Sequence, residues 1–385
     1  MKAAAIAAAA IGLTVCLTGA LLAVRPFDKA NQALDWMFGA PPAWTQVKNL
    51  VRDERIQELS RGERPLASFR ALRKHWEGRT GRRVCFIGNS QMLAVSLAAS
   101  EERSEETEPT YVDRLALDGD KLGLLVYRLS APGMSYPEAL WYVHYLLLEE
   151  RIRPDEVVLQ INYQAFWNAG IRGGMLEMLE QDRFREVIER EAAGNAAYAE
   201  TFREALRTWK QMREKKPETA AADARVGERV EAATRKRLGE LFPRFAERRT
   251  HKDDLLEMLY RLRVYVLQLK PSTARTITGT RWERSRAAVE AIVEACREKQ
   301  VKVLLFHAPL NPKVKLYRSE RDRQNYREFV ETVAGREGVQ LVDLEHAVPA
   351  QYWGRWMNGP DPLHLGRKGH KLMAARFIGL LGGNR

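Results

Sequence analysis

The sequence predicts an α/β protein, specifically a three-layer α/β/α sandwich built on a mostly parallel sheet of about five strands. Five short apolar runs alternate with stretches that have helical periodicity. The first run breaks at a glycine-containing turn before a helical pattern resumes, which is typical of a β-α unit. Alternating strands and helices place a parallel sheet between helical layers, so these observations together predict the sandwich.

Three of the expected strands lie in the first half of the chain. The first ends at Gly88, and residues 92–100 (MLAVSLAAS) resume as a helix. The second covers 122–129 (LGLLVYRL), and a helix follows over 137–152. The third covers 157–161 (VVLQI). The alternation then stops until the last third of the chain.

The remaining strands lie toward the C-terminus. A helix over 284–300 leads into a strand over 301–307 (VKVLLFH), and a further helix leads into a strand over 339–344 (VQLVDL). A loop that carries Asp361 and His364 then precedes a terminal helix. These elements complete the expected five-stranded sheet.

A long helical stretch separates the two groups of strands. It is dense in Glu, Arg, Lys, Leu and Ala and has almost no strand signal, so we interpret it as a helical insertion or cap. The expected organisation is an N-terminal anchor or signal (1–25), a membrane-proximal helical stalk (26–79), the first half of the α/β domain (80–171), the helical insertion (172–270) and the second half of the α/β domain (271–385).

An uncharged apolar segment covers residues 3–24, with Lys2 before it and Arg25 after it. As a helix it would be roughly 33 Å long, enough to cross a bilayer core of about 30 Å. A cleaved signal peptide is the alternative, since small residues are abundant. Because the apolar run is long for a signal peptide, we predict a single-pass transmembrane helix that stays uncleaved.

The charge and the cysteine content limit the classes of partner. The chain of 385 residues has a formal net charge of +12, which favours anionic partners such as phospholipid head groups and acidic polymers. Nucleic acid is not expected, because basic and acidic residues are mixed along helical stretches and no zinc-finger or RNA-binding motif is present. The three cysteines lack metal-ligand spacing and no histidines stand at i and i+4, so neither a metal nor another cofactor is expected.

The run DPLHLG at residues 361–366 places an aspartate and a histidine three residues apart. In serine-nucleophile chemistry, a histidine takes the serine proton while a carboxylate fixes the histidine tautomer and stabilises the imidazolium. The best nucleophile is Ser90, in a Gly-Asn-Ser turn directly after the first strand. Because loops after parallel strands meet at one edge of a sheet, we expect Ser90, His364 and Asp361 to form a catalytic triad there.

Other loops at the same edge carry further candidate groups. Gly133 follows the second strand, and a glycine lets its backbone N–H approach a substrate oxygen closely. Asn162 follows the third strand and offers a side-chain amide, so both residues are candidates for an oxyanion hole. His307 ends the fourth strand and is a candidate for substrate contact, the alternative being a partly buried structural histidine.

Together these blocks resemble the SGNH (GDSL-type) hydrolase and acyltransferase superfamily. Its blocks are a serine in a Gly-Asp/Asn-Ser turn, a glycine, an asparagine and a C-terminal Asp-x-x-His. The positions that match them here are Ser90, Gly133, Asn162, and Asp361 with His364. The chain departs from the pattern at Asn89, where many members have aspartate, and at Gln160, where the third block usually has glycine.

The overall layout is similar to the membrane-anchored branch of that superfamily, which includes teichoic-acid D-alanylation proteins (the DltD family) and exopolysaccharide O-acetylation proteins. This resemblance implies serine-dependent acyl transfer or ester hydrolysis on a cell-envelope polysaccharide or teichoic-acid-like polymer, with that polymer or an acylated carrier as substrate. It further implies a membrane-bound O-acyltransferase as partner and a catalytic domain on the extracytoplasmic side of the cytoplasmic membrane. A plain carbohydrate esterase and a catalytically idle envelope scaffold are the alternatives.

Overall fold

A parallel five-stranded sheet forms the centre of the structure, a computed structural model that describes residues 65–93, 109–131, 133–214, 277, 279–356 and 359–382. Its strands are β1 (Arg82–Gly88), β2 (Leu124–Ser130), β3 (Glu156–Ile161), β4 (Lys302–His307) and β5 (Val339–Asp343). They lie in the order β2-β1-β3-β4-β5, and every neighbouring pair is parallel. The prediction of an α/β fold with a parallel sheet of about five strands is therefore confirmed.

The strand order places the end of β1 at the point where the chain changes direction across the sheet. The chain runs from β1 to β2 on one side and then returns to β3 on the other side of β1. In open parallel sheets such a switch point leaves a crevice at the carboxyl ends of the strands, and ligands bind there. Register pairs Gly88 with Ser130 and Ile161 with His307, so the strand ends line one edge.

Helices cover both faces of the sheet. The described helices of eight or more residues are α1 (Pro65–Trp76), α2 (Tyr111–Asp118), α3 (Tyr136–Leu148), α4 (Asp182–Ala193), α5 (Ala199–Glu214), α6 (Thr280–Glu298), α7 (Glu320–Ala334) and α8 (Arg367–Gly382), besides a 3-10 stretch over Gly173–Glu180. One face packs against α1, α3, α6 and α7, and the other packs against α2 and α8.

Alternate residues of each strand supply the two apolar cores. On β1, Cys85 and Ile87 join the core beneath α3 and α6, whereas Val84 and Phe86 join the core beneath α2 and α8. All four are fully buried. A strand that is covered on both faces has apolar residues at most positions, which is why the sequence shows nearly continuous apolar runs and not alternation.

The region around His364 differs from the sequence-based expectation. It was predicted as a loop, but β6 (Trp353–Trp356) and β7 (Gly359–Leu365) form a two-stranded antiparallel sheet. Prolines and glycines in this stretch masked the strand signal, and pairing between the two strands outweighs their low β-propensity. Buried Trp353 anchors the hairpin through a hydrogen bond from its Nε1 to the Val348 carbonyl (3.2 Å).

Several predicted segments fall partly or wholly outside the described residues. Within the described ranges no helix is both long and apolar enough to cross a bilayer. The apolar segment at 3–24 lies outside those ranges. So do residues 94–100 of the first predicted helix and residues 215–270 of the predicted insertion. The domain boundaries and the anchor therefore stay predictions.

A buried histidine on α3 makes the stability of the fold depend on pH. His144 lies 3.8 Å from Glu191 on α4, which is the closest opposite charge. Burial lowers the pKa of His144 to about 4, an effect that attraction to Glu191 opposes and repulsion from Arg190 reinforces. The folded protein thus keeps this imidazole neutral at pH values where an unfolded chain would protonate it.

We expect the free energy of unfolding to decrease as the pH falls from about 6.5 toward 4. In this range His144 is protonated in the unfolded chain but stays neutral in the folded protein. His144→Gln removes this contribution, which amounts to about 3 kcal/mol when complete. Urea denaturation near neutral pH and near pH 5 should show a smaller loss for this variant than for wild type. The matched control His346→Gln, at an exposed site, should lose as much as wild type. An identical loss in all three proteins would contradict the assignment.

Candidate active site

A serine hydroxyl and a histidine ring meet at the carboxyl edge of the sheet. Ser90 Oγ lies 3.0 Å from His364 Nε2, although 274 residues separate the two along the chain. Ser90 begins a short 3-10 turn after β1, and His364 lies on β7. Both residues are half-buried, so the pair is accessible from solvent. An imidazole within hydrogen-bond distance of a hydroxyl is the arrangement of a nucleophile and its base.

The Gly-Asn sequence before Ser90 has a local physical reason. A Cβ on Gly88 would lie 2.5 Å from Gln160 Oε1, 2.6 Å from Met92 Cε and 2.8 Å from Gln160 Cβ. The first two atoms end flexible side chains, but Gln160 Cβ moves only with its backbone, so the end of β1 favours glycine. The Asn89 side chain accepts a hydrogen bond from the backbone N–H of Gln91 (3.0 Å) and so caps the turn. These two residues give the chain the sharp bend that presents Ser90.

Asp361, the third member of the predicted triad, lies on β7 three residues before His364. Its backbone is part of the hairpin, but its side chain lies outside the described part of the structure. The role of Asp361 therefore stays a prediction.

Gly133 lies in the connection between β2 and α3, next to the Ser90 turn. Its φ of 61° is in the left-handed region, which favours glycine over any residue with a side chain. The next residues are fixed by the α3 capping box of Ser135 and Glu138. Buried Glu138 is in turn paired with Arg172 at 2.6 Å. The start of α3 therefore has a defined conformation.

Asn162 directly follows β3 and is buried. Its backbone N–H donates to the hydroxyl of Tyr136 (2.8 Å), which donates back to the Asn162 carbonyl (3.2 Å). Its side-chain oxygen accepts from the backbone N–H of Gln164 (2.8 Å). That contact fixes the orientation of the amide, so Nδ2 is the end that can donate to a ligand.

A pocket lies between the loops that carry these residues. It is small and open to solvent. Its wall includes Asn89, which precedes Ser90, and Met134, which follows Gly133. The complete lining comprises Gly88, Asn89, Met134, Ser135, Tyr136, Ala139, Leu159, Gln160 and Ala165. Its wall contains residues from the loops after β1, β2 and β3, whereas Ser90, Gly133 and Asn162 themselves are not among the lining residues.

His307 is placed at the end of β4, on the face of the sheet that packs against α7. The ring is buried, and its Nδ1 lies 3.1 Å from the hydroxyl of Tyr326. Burial lowers the pKa of His307, with Asp343 opposing and Arg327 reinforcing this effect, so the ring is neutral near pH 7. A contact between His307 and substrate stays a prediction. Within the described ranges, no three His, Cys, Asp or Glu side chains are grouped to hold a metal ion.

A buried ion pair supports the turn from the other side. Arg128 on β2 lies 3.0 Å from Asp113 Oδ1 on α2 and donates to the Met92 carbonyl at 2.5 Å. The Arg128 and Asp113 side chains are almost completely buried, so loss of either would leave an uncompensated charge. Because Met92 lies two residues after Ser90, this pair ties the turn to α2.

Three buried polar residues near Ser90 were not predicted from the sequence, namely Arg128, Gln91 and Gln160. The Gln160 side chain accepts from the Asn89 backbone N–H at 2.9 Å, directly before Ser90. Arg128 and Gln160 each interrupt an apolar strand, in VYRL and VVLQI. A polar residue inside an otherwise apolar strand is the sequence signal that could have identified them.

Residues 270–372 match a model of the GDSL-like lipase/acylhydrolase family. This range contains Asp361 and His364 but not Ser90. The match supports the SGNH superfamily relationship at the level of fold and reaction class, and it does not extend to the membrane-anchored branch. No curated protein matches the chain.

Two solved structures are similar to the chain at low identity. LAE5, an alpha/beta hydrolase enzyme from the metagenome of Lake Arreo, is 12% identical, with a TM-score of 0.37 over 79% of this chain and 96% of LAE5. Axe2, an acetylxylan esterase from Geobacillus stearothermophilus, is 13% identical, with a TM-score of 0.36 over 78% of this chain and 93% of Axe2. At these TM-scores neither similarity carries an argument about function.

We expect Gly88→Ala to displace Gln160 or Met92 and to disturb the Ser90 turn, at a cost of about 1–3 kcal/mol in the free energy of unfolding. The matched control is Gly379→Ala in an exposed part of α8, where no other atom lies within 4 Å of the added methyl group. That change should stabilise the protein by up to about 1 kcal/mol. Denaturant unfolding of both variants would check this, and equal stability of the two would contradict the close packing at Gly88.

Proposed function

We propose that this protein is an SGNH-type serine esterase or O-acyltransferase, with Ser90 as the nucleophile and His364 as its base. The observation that carries the proposal is the 3.0 Å contact between Ser90 Oγ and His364 Nε2 at the carboxyl edge of a parallel sheet. The GDSL-like match over residues 270–372 supports the same reaction class. Acyl transfer through a serine requires this nucleophile–base contact, because a neutral hydroxyl is a weak nucleophile.

The reaction proceeds in two halves. His364 Nε2 removes the Ser90 proton as Oγ attacks the acyl carbonyl, and the resulting imidazolium then protonates the leaving alcohol as the tetrahedral intermediate collapses. An acyl-enzyme on Ser90 remains. In the second half, His364 deprotonates the acceptor hydroxyl as it attacks the acyl carbonyl, and the imidazolium then returns that proton to Ser90 Oγ as the bond between Oγ and the acyl group breaks. Asp361 would orient the other ring nitrogen of His364 and stabilise the imidazolium.

Donors from three loops would stabilise the oxyanion. They are the backbone N–H groups of Ser90 and Gly133 and the side-chain Nδ2 of Asn162. The capping contact of Asn162 with Gln164 supports this role, because it leaves the nitrogen end of the amide for the ligand. The positive φ of Gly133 supports a loop whose backbone can approach a substrate closely.

The acceptor distinguishes a hydrolase, which uses water, from a transferase, which uses a sugar or polyol hydroxyl. We favour transfer to a cell-envelope polysaccharide or teichoic-acid-like polymer, because the net charge of +12 suits an anionic polymer. The apolar segment at 3–24 would anchor the domain at the extracytoplasmic face of the cytoplasmic membrane. A membrane-bound O-acyltransferase beside it would supply the acyl group.

We expect a fluorophosphonate probe to label the full-length protein on Ser90. Ser90→Ala should abolish labelling, and His364→Ala should slow it by about 1,000-fold or more, because the hydroxyl loses its base. The matched control His346→Ala, at an exposed histidine, should label like wild type. Peptide mass mapping identifies the labelled serine. A folded wild-type protein that is not labelled would favour the catalytically idle scaffold.

We expect Asn162→Asp to slow acylation of Ser90 by about 100- to 1,000-fold, because a carboxylate replaces an oxyanion donor. The variant keeps an oxygen that can cap Gln164, so the local fold should survive. The exposed control Asn325→Ala should acylate at the wild-type rate. Stopped-flow acylation with an activated ester measures these rates. A wild-type rate in a folded Asn162→Asp variant would remove Asn162 from the oxyanion hole.

A further inference from the structure

Two buried glutamines form a direct contact beside the reactive pair. Gln91 immediately follows Ser90, and Gln160 lies on β3. Only 2% of Gln91 and 3% of Gln160 is exposed. Gln160 Nε2 donates to Gln91 Oε1 at 2.7 Å. Buried amides destabilise the folded state unless they are hydrogen-bonded. We therefore ask which groups bind the remaining amide atoms of the two side chains.

Both ends of the glutamine pair bind backbone groups next to the reactive residues. Gln160 Oε1 accepts from the N–H of Asn89 at 2.9 Å. Gln91 Nε2 donates to the carbonyl of Leu363 and to that of Pro309, each at 3.0 Å. Asn89 directly precedes Ser90, and Leu363 directly precedes His364. One chain of hydrogen bonds therefore runs from the nucleophile's turn to the strand that carries the base.

The backbone partners fix the orientation of both amides. A backbone N–H can only donate, so Gln160 must present its oxygen to Asn89 and its nitrogen to Gln91. A backbone carbonyl can only accept, so Gln91 must present its nitrogen to Leu363 and its oxygen to Gln160. Both orientations are consistent with the bond from Gln160 Nε2 to Gln91 Oε1. Aligned hydrogen bonds in a buried site strengthen one another.

The position of His364 relative to Ser90 needs such a connection. Within the described residues, β7 pairs with β6 and not with the five-stranded sheet that carries Ser90. In the part of the chain that the structure describes, no ladder of backbone hydrogen bonds therefore sets the distance between the two side chains. The bond from Gln91 to Leu363 crosses directly from the Ser90 turn to β7.

We propose that Gln91 and Gln160 are positioning residues that hold Ser90 Oγ and His364 Nε2 at reacting distance. This inference rests on the proposed function of Ser90 and His364, and it adds two residues that act through them. Neither glutamine touches the reacting atoms. Their contribution is geometric, since a misplacement of about 1 Å in an active site can reduce a rate by about 100-fold.

The experiment compares full-length wild type with Gln91→Met and Gln160→Met, which keep the side-chain length but remove the amide. The control is Gln340→Met, the same change at an exposed position on β5. Two properties are measured in proteins shown to be folded by circular dichroism. One is the rate at which a fluorophosphonate labels Ser90, and the other is the NMR resonance of the His364 ring, which does not depend on catalysis.

We expect both methionine variants to label about 10- to 100-fold more slowly and to show a shifted His364 resonance, while the control matches wild type. Wild-type rates and an unshifted resonance in both variants would overturn the inference. If wild type is not labelled at all, the proposed function fails. The His364 resonance then decides the inference alone, since a shift in the variants supports the connection and its absence overturns it.

Gln160→Glu provides a second test that a loss of stability would not mimic. The introduced carboxyl group, while protonated, can accept from Asn89 and donate to Gln91, whereas its ionised form has no proton to donate. Burial raises the pKa of such a carboxyl group, so the chain of hydrogen bonds should be restored as the pH falls. We expect the labelling rate of this variant, relative to wild type at the same pH, to rise toward acidic pH. A ratio that stays low at every pH would overturn the inference.

Discussion

The hydrogen bond between Ser90 Oγ and His364 Nε2 is the contact on which the proposed activity depends. The two residues come from separate sheets, one parallel and central and the other a small antiparallel hairpin. The central sheet brings Ser90 to its carboxyl edge, at the point where the strand order reverses. The hairpin brings His364 to the same edge, so the folding of both halves of the chain is needed to form the pair.

Buried polar groups surround this contact on several sides. Arg128 and Asp113 tie the turn after Ser90 to α2, and the two glutamines connect that turn to the strand before His364. In a low-dielectric interior such groups strengthen a structure when all partners are present and weaken it when one is missing. The same network that stabilises the edge of the sheet therefore also limits how far the reactive side chains can move.

The central sheet could be predicted because each strand is covered on both faces. The predicted strand at 157–161 is observed as β3 over Glu156–Ile161, and that at 339–344 as β5 over Val339–Asp343. Ser90 and His364 could be predicted to meet from a turn and a short motif. The β6–β7 hairpin could not, because the prolines and glycines of this stretch have low β-propensity. The role of Gln160 could not, because its partners Asn89 and Gln91 lie 71 and 69 positions away in the sequence.

Trapping of the acyl-enzyme tests the central claim most directly. Full-length protein would be mixed with a short activated ester, quenched in acid within the first turnover, and mapped by peptide mass spectrometry. Acyl transfer through Ser90 predicts one acyl group on the peptide that contains Ser90, and none on that peptide in Ser90→Ala. Product formation with the acyl group on another residue, or with no acylated peptide in wild type, would contradict the proposed mechanism.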